Sequence, residues 1–294
     1  MIASIIITTF NRANLLTQRA LKSALAQDFE DYEVIVVDDA GTDQTEQMMR
    51  YYREQNANLH YFKLSVNRGL SHARNYGIMK AQGEYVVCLD DDNELLPDFL
   101  RETVGMMPQP DRGFDAVGVG RIVKYKDFEA YALPSPGRFC SIDWGWLITK
   151  RVFDSIQYDE NCKANEDTDF GIRFSKMFSA CVIDKPLAIA FDTDDPKQSS
   201  SFPSKRELDG MTYFLNKNLH EYKGYPDELR YLYRLAGRKF YRGGFKVKGL
   251  GYFWRSFRAS PGLNSSAHLF FILFGWAIYD RFMTFTEKIA ANRT

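Results

Sequence analysis

Short apolar runs alternate with longer amphipathic stretches over the first hundred residues of the chain. The segment Ile2–Thr8 is apolar and rich in β-branched residues, which is typical of a parallel strand buried on both faces. Similar runs predict strands at Val34–Val37, Leu59–Leu64 and Tyr85–Leu89. The stretches between them predict helices at Asn11–Gln27, about Asp43–Glu54 and Ser71–Gln82, with a further helix opening at Pro97. Strands and helices that alternate at this spacing predict βαβ units and a mainly parallel sheet with helices on both faces.

The pattern is less regular in the following hundred residues and becomes helical beyond Ser204. The expected elements are a strand at Ala116–Tyr125, a helix at Glu166–Met177, one or two strands at Ala180–Phe191 and a polar loop at Asp192–Pro203. Helices follow, with breaks at Gly243–Gly244 and Pro261–Gly262. We therefore predict an α/β domain over residues 1–204, with a Rossmann-like nucleotide-binding half at 1–100 and a second half at 101–204, and a helical region at 205–294.

The balance of acidic and basic residues changes at the same point, near Ser204. The 294 residues are 45% hydrophobic and carry 38 basic and 38 acidic side chains, which indicates a globular protein and argues against a polyanion-binding protein as a whole. Residues 1–204 hold 22 basic and 31 acidic side chains, whereas residues 205–294 hold 16 and 7. No acidic residue lies between Glu228 and Asp280, where nine cations are interleaved with aromatic residues.

This basic, aromatic region predicts one of two roles. It could lie in the interface of an anionic membrane, where charge and apolar area act together. Alternatively, it packs on the α/β domain or on a second subunit of a homo-oligomer. We favour the membrane because packing does not need the charge asymmetry, and no nucleic acid is expected because no binding module is recognisable.

Cysteines and long apolar segments give the expected compartment. The four cysteines lie far apart and without metal-binding spacing, so neither a disulfide framework nor a zinc site is indicated, and a reducing cytosol fits best. The longest apolar stretch, Ala267–Tyr279, has 13 residues, whereas a spanning helix needs about 20. We expect a cytoplasmic protein that is at most peripheral at the inner membrane face.

Two of the predicted strands end in adjacent aspartates. Asp38 and Asp39 follow the second strand, and Asp90, Asp91 and Asp92 follow the fourth. Ligands of open α/β sheets bind at the carboxyl ends of the strands, so these carboxylates are placed for function. If the chain is still extended there, Asp90 and Asp92 project to the same side and can hold one Mg²⁺ or Mn²⁺, with a nucleotide diphosphate completing the site. The alternative is a solvated acidic turn that precedes a helix.

Five short motifs in order resemble those of family 2 glycosyltransferases with the GT-A fold. They begin at Ser4, Val36, Asn67, Leu89 and Asn165, and read SIIITTFNR, VVDDAGTD, NRGLSHARNYG, LDDDN and NEDTD. Each is weak alone, but five in order at suitable spacing are a strong signal over roughly residues 3–200. The resemblance implies an α/β GT-A nucleotide-diphospho-sugar transferase fold with a C-terminal helical extension. It also implies the inverting transfer of a sugar from a nucleotide-sugar donor.

The resemblance assigns roles to residues that match its motifs. On the donor side it implies that Thr9 and Asn11 line the nucleotide, that Asp39 contacts the base or ribose, and that Arg74 lies beside the donor site. Asp90 and Asp92 match the metal-binding DxD motif, with Asp92 the expected direct ligand of Mn²⁺ or Mg²⁺, and Asp91 between them is placed with the donor. The chain departs from the family's pattern at Thr8, where proline is frequent, and at Ala40, where glycine is common.

On the acceptor side the resemblance implies that Asp167 is the general base, with Glu166 beside it in the acceptor site. Glu166 or Asp169 is the alternative base, and a helix N-terminus capped by Asn165 is the purely structural reading of this motif. Trp144 and Trp146 are predicted either to stack on the acceptor sugar or to be core aromatics. The polar loop with Ser199–Ser201 is predicted to be a lid or a plain linker.

The expected donor is a UDP- or GDP-sugar, and the expected acceptor is a hydroxyl of a glycan or lipid-linked saccharide. Two alternatives stay open at this point. A sugar-phosphate nucleotidyltransferase would use a similar sheet and metal, although the glycine-rich loop expected after its first strand is absent. A non-catalytic nucleotide-sugar-binding protein of the same fold is the second.

Overall fold

The amino-terminal part of the chain is a parallel sheet whose strands alternate with helices. The computed structural model describes residues 1–107, 113–191, 203–275 and 278–283. The first four strands are β1 (Ala3–Thr9), β2 (Tyr32–Asp38), β3 (Leu59–Lys63) and β4 (Tyr85–Asp90). The helices between them are α1 (Ala13–Gln18), α2 (Ala20–Leu25), α3 (Thr45–Gln55) and α4 (Leu70–Lys80). These predicted strands and helices are confirmed, with ends shifted by one or two residues.

The helix predicted at Asn11–Gln27 is interrupted at Arg19, whose backbone angles of φ −118° and ψ −88° lie outside the helical range. The Arg19 side chain leaves the helix and donates a hydrogen bond to the carbonyl oxygen of Asp92 at 3.1 Å. Its guanidinium also lies 3.8 Å from the centre of the Phe191 ring. These two long-range contacts were not visible in the local pattern.

The remaining strands extend the same sheet. The elements are β5 (Glu94–Leu95), α5 (Phe99–Met106), β6 (Ala116–Lys124), β7 (Glu129–Ala132), β8 (Trp146–Thr149), α6 (Val152–Ser155), α7 (Glu166–Phe174) and β9 (Ala180–Phe191). Within the described residues the strand order is β3-β2-β1-β4-β8-β6-β9-β5, with β7 paired on β6. β1 to β4 are parallel, β8 is antiparallel to β4 and β6, and β9 is parallel to β6. The short elements β5, β7 and α6 were not predicted from the sequence, and β8 begins at the end of the stretch 143–146, where the sequence is compatible with a loop or a short strand.

Apolar side chains fill both faces of the parallel part of the sheet. Along β1, Ile5 and Ile7 belong to one buried cluster and Ile6 to another, as the alternation of side chains along a strand requires. Helix α4 packs closely on the second face, because Gly77 lies against Ile6 and Val37 with no side chain of its own. The continuous burial of β1 and β2 confirms that these apolar runs are central strands.

The described residues divide into two compact units. The first comprises Met1–Tyr125, Glu129–Glu160 and the chain from Glu166 through β9. The second comprises Lys126–Phe128, Asn161–Asn165 and the described residues from 203 onward. The predicted loop Asp192–Pro203, with Ser199–Ser201, lies outside the described residues apart from Pro203.

The second unit is helical, as the sequence indicates. Its main elements are α8 (Lys205–Asn218), a 3₁₀ turn (Leu219–Tyr222), α9 (Pro226–Arg242), α10 (Lys246–Ala259) and α11 (Leu263–Leu273). Ser204 and Glu207 form a capping box at the start of α8, and the predicted breaks at Gly243–Gly244 and Pro261–Gly262 separate the last three helices. Among the helices described, none is long and apolar enough to span a bilayer.

Candidate active site

A cavity of about 370 Å³ opens where β1 and β4 end, beside the end of β2. The strand register places these ends side by side, since Thr9 pairs with Asp38 and Thr8 pairs with Asp90. The lining residues are Thr8, Thr9, Phe10, Arg12, Asp39, Leu70, Ala73, Asp90, Asp91 and Asp92. The structure therefore brings together the predicted residues Thr9, Asp39 and the acidic run at Asp90–Asp92. Ligands of open α/β sheets occupy this position.

The acidic run is a turn rather than an extended segment. β4 ends at Asp90, and the amide of Asn93 donates a 3.2 Å hydrogen bond back to the Asp90 carbonyl oxygen. The premise that Asp90 and Asp92 project alike from an extended chain is therefore wrong. The turn instead leaves both of them partly exposed at the cavity, while Asp91 is buried.

Arg12 neutralises the buried part of this turn. Its guanidinium donates to Asp91 Oδ1 at 2.7 Å and to Asp92 Oδ2 at 2.8 Å, and the Thr9 hydroxyl donates to Asp91 Oδ2 at 2.7 Å. Burial raises the pKa of Asp91 to about 7, against the opposing effects of Arg12 and Thr9. Asp91 thus anchors the turn to the loop after β1, and its two oxygens already have partners within the protein.

Arg74 connects the acidic turn after β4 with the first turn of α7. It projects from α4 with only 2% of its side chain exposed, and donates to Asp90 Oδ1 at 2.7 Å and to Glu166 Oε1 at 3.1 Å. Burial raises the pKa of Glu166, although the positive charge of Arg74 opposes that effect. The structure therefore brings Arg74 together with Asp90, as well as with Glu166 from the predicted acceptor site, and binds its guanidinium to these two protein carboxylates.

Asp39 and Asn11 hold the loops around the cavity. The Asp39 carboxylate accepts hydrogen bonds from the backbone amides of Arg68 at 2.9 Å and Gly69 at 2.7 Å, which precede α4. The Asn11 side-chain oxygen accepts one from the amide of Thr42 at 2.7 Å. Both side chains thus fix backbone near the predicted nucleotide site. Ala40, directly after Asp39, has a φ of 64°, a left-handed conformation that glycine adopts more easily.

Asp167 lies at the start of α7, and its carboxylate accepts a hydrogen bond from the Ser141 hydroxyl. The neighbouring acid Asp169 is fully buried and forms an ion pair with Arg173 at 2.8 Å. Glu166 is held by Arg74. Asp169 is therefore inaccessible as a base, and of the three acids Asp167 is the one without a cationic partner within the described residues.

Asn165 does not cap α7 in the way that the sequence suggests. Its φ is 58°, and its side-chain oxygen is buried without a hydrogen-bond partner among the described residues. The helix nevertheless begins with the expected acidic turn of Glu166, Asp167 and Asp169. Negative charge at this end is favourable because of the helix dipole.

Both tryptophans of the predicted acceptor platform are buried. Trp146 is fully buried in the core with its ring against Gly118, and Trp144 lies beneath the guanidinium of Arg121, 4.3 Å from its ring centre. Arg121 is itself paired with Asp143 at 2.5 Å. In this structure neither ring offers an open face to a sugar, and both match the alternative reading as core aromatics.

The acidic turn has the donor chemistry of a divalent-cation site. Asp90 Oδ2 and Asp92 Oδ1 take part in no hydrogen bond or ion pair with the described residues, while the second oxygen of each carboxylate is bound to an arginine. Carboxylate oxygens are what Mg²⁺ and Mn²⁺ prefer, with phosphate and water completing the shell. No cluster of three or more acidic, histidine or cysteine side chains that could hold a metal occurs among the described residues, so external oxygens would have to complete the site.

Sequence reasoning missed two residues of this site. Arg12 lies within the first motif, directly after Asn11. A cation just after the first strand could have been expected to pair with the acidic run at the end of the fourth strand. Ser141, the partner of Asp167, follows an irregular stretch and carried no recognisable signal.

Several known proteins are similar to this chain. The GalNAc(5)-diNAcBac-PP-undecaprenol beta-1,3-glucosyltransferase of Campylobacter jejuni is 40% identical over 98 residues, which is 33% of this chain and 31% of that protein. The mannosyltransferase PcManGT from Pyrobaculum calidifontis, solved in complex with GDP-Man and Mn²⁺, has a TM-score of 0.62 at 18% identity over 99% of this chain and 85% of its own. S. aureus TarS 1–349 in complex with UDP-GlcNAc has a TM-score of 0.55 at 20% identity, over 90% of this chain and 78% of its own.

The two solved structures share the GT-A fold with this chain, so the predicted fold is confirmed. The chain aligns with only about a third of the length of its first curated relatives. The family model of glycosyl transferase family 2 matches residues 4–178, well over half of the chain, and the resemblance of the five motifs is thereby confirmed. The chain belongs to glycosyl transferase family 2.

Proposed function

We propose that this protein is a glycosyltransferase that moves a sugar from a nucleotide-diphospho-sugar to an acceptor hydroxyl by a single displacement that inverts the anomeric centre. The observation that carries the proposal is the cavity where β1 and β4 end, lined by Asp39 and the acidic turn. Two neighbours of the same fold were solved with UDP-GlcNAc and with GDP-Man, which supports a UDP- or GDP-sugar as donor. The acceptor is a glycan or lipid-linked saccharide, as the name of the Campylobacter relative suggests.

We assign the chemistry to residues 1–204, with the donor bound by 1–100 and the acceptor by 101–204, and leave 205–294 outside it. In support, the residues that line the cavity all lie between Thr8 and Asp92. Thr9, Asn11, Asp39 and Arg74 shape the donor side, the last three by binding protein groups around the cavity.

The leaving side is assigned to the acidic turn. Asp90 and Asp92 would hold Mn²⁺ or Mg²⁺ through the oxygens that have no protein partner, while Arg74 and Arg12 orient the two carboxylates. Such an ion, when bound, neutralises the charge that develops on the departing diphosphate. Arg12 contributes positive charge to the same edge. It also pairs with Asp91, so the Asp91 carboxylate adds no uncompensated negative charge there.

The acceptor side is assigned to Asp167 as general base. The attacking hydroxyl must lose its proton as the bond to the anomeric carbon forms, so a carboxylate is needed on the opposite face of the sugar. Asp167 fits because Asp169 is buried and ion-paired and Glu166 is held by Arg74. The Ser141 hydroxyl donates to Asp167 and orients its carboxylate. The displacement passes through no covalent sugar intermediate.

Donor and metal binding can be tested by thermal unfolding of the full chain with a panel of UDP- and GDP-sugars, with and without MnCl₂. At about 100 times the dissociation constant, one donor is expected to raise the unfolding temperature by roughly 5 °C only when metal is present. Asp92→Asn should abolish this shift, whereas Asp154→Asn, at an exposed position of α6, should retain it. Stabilisation without metal would overturn the metal assignment, and no response to any donor would overturn the proposed donor class.

The base assignment is tested with Asp167→Asn. The substitution removes the proton acceptor but keeps the side-chain shape, so kcat should fall by about 10²- to 10⁴-fold while donor affinity stays near that of the wild type. The measurements are initial rates and donor binding by calorimetry, with Asp154→Asn as the control. Turnover within a fewfold of wild type would move the role to another carboxylate, with Glu166 tested next.

A further inference from the structure

Helix α10 of the helical unit has two apolar faces, and internal packing explains only one of them. The inner face is buried against α9 and consists of Gly249, Tyr252, Phe253 and Ser256. The Phe253 ring lies against Gly237 of α9, and the Ser256 hydroxyl donates to the Arg230 carbonyl oxygen at 2.8 Å. This inner face accounts for the place of α10 in the unit.

The outer face carries large apolar side chains that the fold leaves uncovered. Phe245, directly before the helix, is 57% exposed, Val247 is 86% exposed and Trp254 is 52% exposed. Val247 and Trp254 are seven residues apart, so they lie on the same side of the helix, two turns from each other. Isolated exposed apolar residues are common, but Val247 and Trp254 share one side of the helix, and Phe245 adds exposed apolar area at its start.

Cations surround this patch, and acidic residues are absent from its stretch of sequence. Lys246, Arg255 and Arg258 are exposed, and no Asp or Glu occurs from residue 229 to residue 279. Lys246 and Arg258 form no hydrogen bond or ion pair with the described residues. No acidic side chain in the described part of the chain neutralises these three cations. Packing within the protein therefore does not explain why they are there.

We propose that the α10 face, defined as Phe245, Lys246, Val247, Trp254, Arg255 and Arg258, docks on an anionic lipid bilayer. Aromatic and aliphatic side chains enter the headgroup boundary, while the long stems of Lys and Arg let their charges stay among the phosphates. Attraction of each cation to an anionic surface adds to the apolar term and decays within a Debye length. The cations of the α10 face complement the negative charge of such a bilayer, and a Trp flanked by cations suits its headgroup region. We therefore favour a lipid surface over a protein or nucleic-acid partner. This inference goes beyond the proposed sugar transfer and does not depend on it.

Vesicle co-sedimentation of the full chain tests the proposal directly. Binding is expected to vesicles of equal phosphatidylglycerol and phosphatidylcholine, to be weak or absent with phosphatidylcholine alone, and to decline from 0.05 M to about 0.5 M salt as charges are screened. No sedimentation with the anionic vesicles at low salt would overturn the proposal.

Matched variants separate the α10 face from general surface charge. The double substitution K246Q/R258Q should weaken binding by roughly thirtyfold, which corresponds to two cations at an anionic surface. The control K205Q/K223Q removes the same charge from exposed positions of the same unit outside the α10 face and should bind like the wild type. Val247→Ser should also weaken binding, whereas Val66→Ser, at a 63% exposed position of the first unit, should not. Equal effects of test and control variants would overturn the assignment to α10.

Fluorescence gives a readout that a loss of folding cannot imitate. Because the chain also contains Trp276, the experiment uses a Trp276→Phe background. Brominated lipids are expected to quench the emission of that protein on anionic vesicles, and adding Trp254→Phe should remove most of that quenching while sedimentation is largely kept. Trp144 and Trp146 are buried and should not respond. Unchanged quenching in Trp254→Phe would overturn the proposal. So would burial of Trp254 on concentration-dependent self-association without lipid, or on binding of nucleic acid.

Discussion

A single buried guanidinium connects the two acidic motifs of the candidate active site. Arg74 lies between Asp90, at the end of β4, and Glu166, at the start of α7, and its Nε has no hydrogen-bond partner within the described residues. A buried cation of this kind is stable only because two carboxylates offset its desolvation. Its position therefore links the acidic turn after β4 to the helix that carries Asp167.

Replacing Arg74 by Lys should be costly although charge is conserved. A lysine cannot bind two carboxylates through a planar fork, so one of them would be left without a cationic partner. We expect a loss of about 3 kcal/mol in the free energy of unfolding and a fall in kcat larger than the rise in KM. The control is Arg50→Lys, in an exposed pair with Glu46, where less than about 1 kcal/mol should change. The free energies of unfolding are measured in urea. Equal values for Arg74→Lys and Arg50→Lys would contradict this role of Arg74.

Helix α4 is placed by two different devices at its two ends. Asp39 binds the amides of Arg68 and Gly69 just before the helix, and Gly77 near its C-terminal end allows close approach to β1. A Cβ on Gly77 would lie closer than contact distance to Ile6 Cγ2 and 3.3 Å from Val37 Cγ2. Because α4 carries Arg74, a shift of this helix would also disturb the ion pairs at the site.

The substitution Gly77→Ala is therefore expected to destabilise the protein in spite of the better helix propensity of alanine. Overpacking against β1 should cost about 1–3 kcal/mol in the free energy of unfolding. Gly105→Ala in α5 is the matched control, since a Cβ there meets no atom within 4 Å, and it should stabilise by about 0.5–1 kcal/mol. Chemical denaturation measures both changes, and a stabilising Gly77→Ala would show that α4 has room to move.

In the helical unit, a buried histidine makes the stability of the protein depend on pH. His268 Nε2 accepts from Arg234 at 2.6 Å, so Nδ1 carries the proton that is shared with Tyr279 Oη at 3.1 Å. Burial, together with the positive charges of Arg234, Arg238 and Arg230, lowers the pKa of His268 to about 3. The folded protein therefore holds this imidazole neutral at neutral pH.

The sign of the effect follows from proton uptake by the unfolded chain. An unfolded histidine has a pKa of about 6.5, so between pH 6.5 and 3 the unfolded state binds a proton that the folded state rejects. Stability should fall on acidification by about 1.4 kcal/mol per pH unit in that window, over and above the contribution of other groups. His268→Gln should remove this part of the slope, as measured by denaturant titrations from pH 7 to 4.5. Equal slopes in wild type and variant would show that His268 is protonated in the folded state.

The local order of residues determined the elements and the class of the protein. β-Branched apolar runs predicted β1 to β4, amphipathic stretches predicted the helices between them, and the charge division marked the basic helical region. The aspartates at strand ends located the cavity, because parallel strands bring their carboxyl ends to one edge. These features could be predicted since each depends on periodicity or on neighbours within a few residues.

Only the tertiary structure decided which side chains are paired and which are free. Arg12 meets Asp91 from 79 positions away and Arg74 meets Glu166 from 92 positions away, and neither partnership leaves a trace in local sequence. The turn at Asp90, the burial of Trp146 and the break at Arg19 likewise depend on contacts between distant segments. The physical reason is that the sequence pattern fixes which face of an element is apolar, whereas packing fixes which polar groups lose water and must find a partner.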